Sequence, residues 1–337
     1  MLSLLCAAQP GFRPPQASLQ LGMRGHFVGA DLHGLDVTGS LQHADLTSAD
    51  LCFADLHLVT SALHTRLRDA RLDGAVLDGV HFAKLDGRGL RATNASLKRC
   101  LGDADLTLAA LDGACLFEAV LADTCLDGAS LRDANLTRAH LLQVSLSGTD
   151  LRGACCDGAR LIRLDLREAH LEGASFVGAD LTRADLSHTV LPRLRAPNAI
   201  FENAFLTGAH WPAAVLHGAS FAEAGLAEVD WEGADLRGCN FFRAAFHLGS
   251  SRSGLVDSTI ASEGSRTGFY TDESLEDRFQ APEDVRKANL RGCDMRGANV
   301  EGCDFYLVDL RGARLDRGQL LWLRRCRAIL DAENPAG

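Results

Sequence analysis

The side chains in this sequence that could do chemistry are carboxylates, thiols and imidazoles: 44 Asp and Glu, 11 Cys and 12 His in 337 residues. Paired carboxylates would suit acid–base work, and Cys or His clusters would suit a metal or a nucleophile. The spacing supports neither. Most acids sit at one place in a short unit, as in Ala104-Asp105-Leu106 and Ala184-Asp185-Leu186, so carboxylate pairs arise everywhere and mark no single centre. The histidines scatter without ligand spacing, and no CxxC pair, P-loop, GxSxG or GxGxxG occurs. The residues therefore argue against an enzyme, with no cofactor and no structural metal.

What positions these residues is a period of five. Through 101–246 a large apolar residue falls at every fifth position, as at Leu101, Leu106, Leu111, Leu116 and Leu121. Two residues earlier sits a small one, as at Ala104, Ala109, Ala114 and Ala119. Five is neither the helical period nor the plain strand period. Small–polar–large reads as in–out–in, which is strand alternation, and the next two residues turn a corner. Each side of a narrow tube then brings in one large and one small side chain, enough to fill it.

This sequence resembles the pentapeptide-repeat family, whose motif is A(D/N)LXX, over roughly 27–320. The resemblance implies an all-β fold, a right-handed quadrilateral parallel β-helix with about twenty residues per coil. Phe201, Phe221 and Phe241 lie twenty apart, and Trp211 and Trp231 lie twenty apart on the facing side. Stacking of like on like is therefore expected along two inner walls.

The organisation expected along the chain is a cover or disordered segment over 1–25, the repeat over 26–248, an inserted loop over 249–287, the repeat again over 288–318, and a C-terminal cap over 319–337. The register slips by one residue before Leu41 and again near 61–66, and 84–93 is degenerate. The insertion is rich in Ser, Gly and charge. It holds one helix candidate, 272–279, and the aromatic residues Phe269, Tyr270 and Phe279. The last segment changes period: Leu320, Leu323, Cys326 and Leu330 form a helical stripe. Solenoid ends need caps, because an open end exposes core and unpaired strand edges. Leu320, Leu321, Trp322, Leu323 and Ile329 exceed what one stripe needs, so a homodimer through this end is also expected.

The formal net charge of -10 argues against a nucleic-acid binder, which would carry a basic stripe. No run of eighteen apolar residues occurs, so no membrane span is expected. On the repeat, Cys239, Cys293 and Cys303 fall at small inward positions and Cys156 at a large one, as buried free thiols. That suits a reducing, cytoplasmic setting. One side of the tube concentrates acid: Asp105, Asp127, Asp165, Glu168 and Asp185 against Arg167 alone.

These features suggest a non-enzymatic rod that binds a protein. The family resemblance implies a sharper form, a DNA mimic that protects or inhibits gyrase or topoisomerase IV and so bears on antibiotic resistance. About twelve coils would span roughly 58 Å at ~4.8 Å per strand. Duplex DNA of that length carries roughly 34 charges at one per ~1.7 Å, so -10 is a sparse imitation. The alternative is a scaffold or secretion-associated protein that recognises its partner through the 249–287 loop.

Overall fold

The computed structural model describes residues 18–21, 24–246 and 288–331. The expected helix at 272–279 and the loop residues Phe269, Tyr270 and Phe279 lie outside the described residues. The chain divides into two compact units, 1–179 and 180–337. Each is a parallel β-solenoid with four sides per coil.

The corner explains the two residues that follow each large side chain. The carbonyl of the large residue accepts from the N–H three positions on, as in Ala134 N–H to Leu131 O at 3.1 Å. The residue two positions on has positive φ, 55° at Asp133 and 65° at Gly34. This is the geometry of a type II turn, which favours Gly or Asn there. Between corners, the flanking N–H groups bond to neighbouring coils on either side: Ser130 N–H to Ala109 O at 2.8 Å, and Leu131 N–H to Asp150 O at 2.7 Å.

In the first unit, seven parallel strands follow in chain order: β1 (Ser18–Leu21), β2 (Asp36–Ser40), β3 (Asp55–Leu63), β4 (His81–Asp86), β5 (Leu101–Asp105), β6 (Val120–Ala122) and β7 (His140–Leu142). β1 lies within the 1–25 segment and pairs Ser18 with Asp36 and Leu21 with Gly39. Coil length varies early and then settles. The partners Asp31, Asp50, Arg71, Arg91 and Ala110 are 19, 21, 20 and 19 residues apart, and Ala110, Ser130 and Asp150 follow at 20. The slip before Leu41 is the first short coil, and the extra residue near 61–66 is the long one.

The third slip corrects the sequence reading. Leu101 is not an inward residue; it is 45% exposed. It pairs with Val120, while Gly102 pairs with Leu121 and Phe82. Gly102 thus holds the large inward slot, because one residue is missing from that coil. The degenerate stretch 84–93 has a different cause, since its register is unbroken. Leu85 and Leu90 are buried at the small slots, while Gly87 and Ala92 take the large ones. Large and small have exchanged places, so the tube stays filled while the motif disappears.

In the second unit the aromatic ladders form as expected. Phe201 and Phe221 stack at 5.0 Å, Phe221 and Phe241 at 5.3 Å, and Trp211 and Trp231 at 5.4 Å, all fully buried. The Trp211 indole donates to the buried Thr189 hydroxyl at 3.0 Å. On either side of 247–287, pairing keeps its register. Asp230, Asp235, Asn240 and Ala245 pair with Asn289, Asp294, Asn299 and Asp304. Phe246 stacks against Phe305 at 4.8 Å. Phe246 and Ala288 thus hold successive inward slots on either side of one corner.

The unit closes with α1 (Arg317–Arg325), shorter than the helical stripe suggested. Asp316 and Gln319 form a capping box at its start. The helix stops at Arg325, Arg327 turns with φ 58°, and Ile329 bridges back to Asp309 as a last strand position. Leu330 is therefore not helical.

Candidate functional site

The five acids expected to form a stripe are all bound up locally. Asp105 accepts from the backbone N–H and hydroxyl of Thr107 and lies 3.5 Å from Arg88. Asp165 receives a bidentate pair from Arg167 at 2.9 and 2.6 Å. Asp185 accepts the Ser187 N–H at 3.0 Å. Asp127 and Glu168 differ. Asp127 accepts from the Ser145 hydroxyl at 2.5 Å and from the Ser147 N–H at 3.1 Å, and the Ser147 hydroxyl donates to Glu168 at 2.5 Å. Ser147 thus links two carboxylates of different coils. The hydrogen bond from Ser145 holds the Asp127 carboxyl below its ordinary range, so it stays ionised. Asp105, Asp127, Asp165 and Glu168 belong to the first unit and Asp185 to the second.

A local rule lies behind these partners. An Asp just before the large residue accepts the N–H two positions on, a turn in which the side chain satisfies the corner backbone. Where that second residue is Arg, its guanidinium also folds back on the carboxylate. Asp86 with Arg88, Asp150 with Arg152, Asp235 with Arg237, Asp294 with Arg296 and Asp309 with Arg311 all do so. Asp150 is further gripped by Arg132 at 2.6 Å, and Arg152 chiefly holds its carboxyl well below the usual range. In these turns the Asp charge is met by the Arg two residues on.

At the C-terminal cap, two of the five apolar residues are buried, two are half-buried and one is exposed. Leu320 and Leu323 are buried, the Trp322 indole donates to the Cys303 carbonyl at 3.2 Å, and Ile329 bonds with Val308 and Leu310. Ile329 sits beside Asp309 at an outward slot, and Leu321 is 69% exposed.

The ten described cysteines are free. Cys239, Cys293 and Cys303 fill small inward slots, and Cys156 a large one. Burial pushes the Cys100 and Cys239 thiols up to about 12, so they act as small hydrophobes. One grouping escaped the sequence reading. His33, Asp50 and Cys52 offer ligand atoms that all lie within 4.8 Å of one another. The signal becomes visible once coil length is known: His33 and Cys52 hold the same slot of consecutive coils, 19 residues apart.

The pentapeptide-repeats family model matches eight copies, over 114–153, 154–191, 199–238, 219–247 and 285–320. The match begins just past the last short coil. No curated protein matches the chain. Among solved structures, HetL is a pentapeptide repeat protein involved in heterocyst differentiation regulation, from the cyanobacterium Nostoc sp. strain PCC 7120. It is 23% identical, covering 87% of this chain and 92% of its own, with a TM-score of 0.28. Full-length QnrB1, a plasmid-mediated fluoroquinolone resistance protein, is 16% identical, with 78% and 96% covered and a TM-score of 0.23. Rfr23, from the cyanobacterium Cyanothece 51142, is 17% identical, with 51% and 91% covered and a TM-score of 0.18. Likeness at this level says nothing of a partner.

Proposed function

Since this chain belongs to the pentapeptide-repeat family, we propose that it is a non-enzymatic binding protein that holds a partner with a basic surface on its acidic solenoid side. The observation that supports this reading is the Asp127–Ser147–Glu168 chain of hydrogen bonds. It presets two carboxylates on a framework of backbone bonds. Preset charge saves the ordering that a flexible surface needs on binding. The free, buried thiols fit a partner met in a reducing compartment. Among the described residues no helix is long and apolar enough to cross a membrane.

The narrower form of the reading is competition for the duplex-DNA saddle of a type II topoisomerase. Coils repeat every ~4.8 Å, and duplex charge every ~1.7 Å. With Asp165 taken by Arg167, the side offers a thinner array than duplex, so the interaction should be salt-sensitive. A supercoiling assay at low salt tests it, with wild-type protein and the triple variant Asp105→Asn, Asp127→Asn, Glu168→Gln. Inhibition or drug protection by wild type, reduced at least several-fold in the variant, is expected. No effect of wild type at several-fold excess removes the topoisomerase form.

A second reading rests on a different observation. Ala245 pairs with Asp304 and Phe246 stacks on Phe305 although fifty-nine positions separate each pair where a coil needs twenty. In this reading the protein is a scaffold that recognises its partner through 249–287.

A further inference from the structure

The first unit carries a second cluster that the binding reading does not use. His33 and Cys52 occupy the same outward slot of adjacent coils, and Asp50 lies two residues before Cys52. The His33 Nδ1 is 3.9 Å from Asp50 Oδ1. The Cys52 Sγ lies with both inside a 4.8 Å span. Arg71 binds the other oxygen, Oδ2, at 3.2 Å, and so leaves Oδ1 facing the imidazole and thiol. The Cys52 N–H also donates to Oδ1 at 3.0 Å and fixes the carboxylate plane. A fourth donor atom stands beside them: Asp73 Oδ2, 3.9 Å from Cys52 Sγ, while Asp73 Oδ1 accepts the Thr93 N–H at 3.0 Å.

The surroundings fit a site rather than open surface. Cys52 is 2% exposed although its slot points outward. Phe53 packs edge-on to the His33 ring at 5.5 Å. Gly74, the position matching Phe53 one coil on, leaves room for the Phe53 ring; a Cβ there would lie 2.6 Å from it. His33 remains half exposed, so an ion would enter from its side.

We propose that His33, Asp50 and Cys52 form a zinc-class divalent-metal site that clips two coils of the first unit together. An imidazole nitrogen, a carboxylate oxygen and a thiolate select a borderline-soft ion over magnesium or calcium. Bonds of about 2.0–2.3 Å to a tetrahedral ion set donor separations near 3.5 Å. The present spacing closes to that by about 1 Å, within reach of the exposed His33 side chain. On binding, the Cys52 thiol releases its proton to solvent and the thiolate bonds the ion. Water or Asp73 completes the fourth position. The clip would act where coil length changes from 19 to 21, the least regular stretch of the unit.

The test uses the full chain, stripped with a chelator and titrated with Co²⁺ alone. One equivalent should bind, with a thiolate-to-cobalt charge-transfer band and tetrahedral visible bands. Cys52→Ser should lose the charge-transfer band, and Asp50→Asn and His33→Ala should each weaken binding at least ten-fold. His33→Ala changes an exposed side chain, so it keeps the test decisive if Cys52→Ser folds poorly. Zn²⁺ should raise the melting temperature of wild type and leave that of His33→Ala unchanged. A charge-transfer band that survives in Cys52→Ser, equal affinity of wild type and His33→Ala, or no saturable binding at tens of micromolar overturns the proposal.

Discussion

At Gly102 the chain has room for a hydrogen and nothing larger. A Cβ there would lie 1.6 Å from the Phe82 carbonyl oxygen, and φ is +136°. Gly102→Ala should therefore lower stability by at least about 2 kcal/mol, from backbone displacement plus strain. Gly148 is the control. Its φ is +64° but nothing lies within 4 Å of a Cβ, so Gly148→Ala should lose only ~1 kcal/mol. Equal losses by chemical denaturation would show that crowding at Phe82 has no energetic weight. A second residue-scale test concerns the tryptophan ladder. The Trp231 indole N–H is buried without a partner among the described residues, whereas Trp211 donates to Thr189. The position matching Thr189 one coil on is Ala209, which is fully buried. Ala209→Ser should supply the missing acceptor and raise stability by about 1 kcal/mol, read as a higher denaturant midpoint at unchanged slope. Asp150 gives a pH test. Its folded carboxyl lies far below its ordinary 3.8, so its contribution is present above the unfolded value and fades as pH falls toward the folded one. Asp150→Asn should be less stable than wild type at pH 7, and the two melting curves should converge as pH drops below about 3.8. A gap of constant size down to pH 2 would mean the carboxylate's charge is irrelevant.

Among the elements, α1 shows how a solenoid can end without leaving its last coil unpaired. The Gln319 amide is buried and donates to Met295 O at 2.7 Å and Ala298 O at 2.9 Å, while its carbonyl accepts the Asp316 N–H at 2.8 Å. One side chain thus satisfies two carbonyls of the preceding coil and one N–H of the helix start. Gln319→Ala should lower stability by roughly 2–3 kcal/mol, because buried backbone groups lose partners that water cannot replace. Leu321→Ser, at the exposed position, should change it by less than about 0.5 kcal/mol. Comparable losses in the two variants, measured by thermal unfolding, would assign the cap's effect to helix content rather than to these bonds. The cap was only half legible in the sequence. The Leu320 and Leu323 stripe announces a helix, but its end is set by Arg327 turning and Ile329 rejoining the strands, a tertiary pairing that no local period encodes. The same limit applies at Leu101. A five-residue count cannot tell an inward leucine from one displaced by a missing residue, because Gly102 replaces it only through contact with Phe82.

Over the whole chain, the period of five made the fold legible, because every side repeats one choice of inward pair. Acid placement was also legible as position. Its electrostatic meaning was not, since whether Asp165 or Asp235 stays uncompensated depends on the Arg two residues later folding back. The His33–Asp50–Cys52 cluster was hidden for a third reason: its members meet only through a 19-residue coil, while the repeat suggests twenty. The last prediction concerns 247–287. Ala245 pairs with Asp304 and Asn240 with Asn299, each across fifty-nine positions, where a coil needs twenty. Deleting 248–286 removes the difference and leaves a two-residue corner. The contacts that hold the two sides, Phe246 on Phe305 at 4.8 Å and Asn299 to Asn240 at 3.0 Å, use none of the deleted residues. The shortened protein should therefore unfold cooperatively at a temperature no lower than that of the full chain. Non-cooperative melting, or a midpoint depressed by more than about 5 °C, beyond the roughly 2–4 °C that ~1 kcal/mol gives in a body of this size, would make the segment part of the fold. If it melts as expected, the same variant separates the two functional readings. Partner binding that survives deletion but falls with Asp127→Asn and Glu168→Gln places recognition on the acidic side. Binding lost on deletion and unmoved by those substitutions places it on the segment.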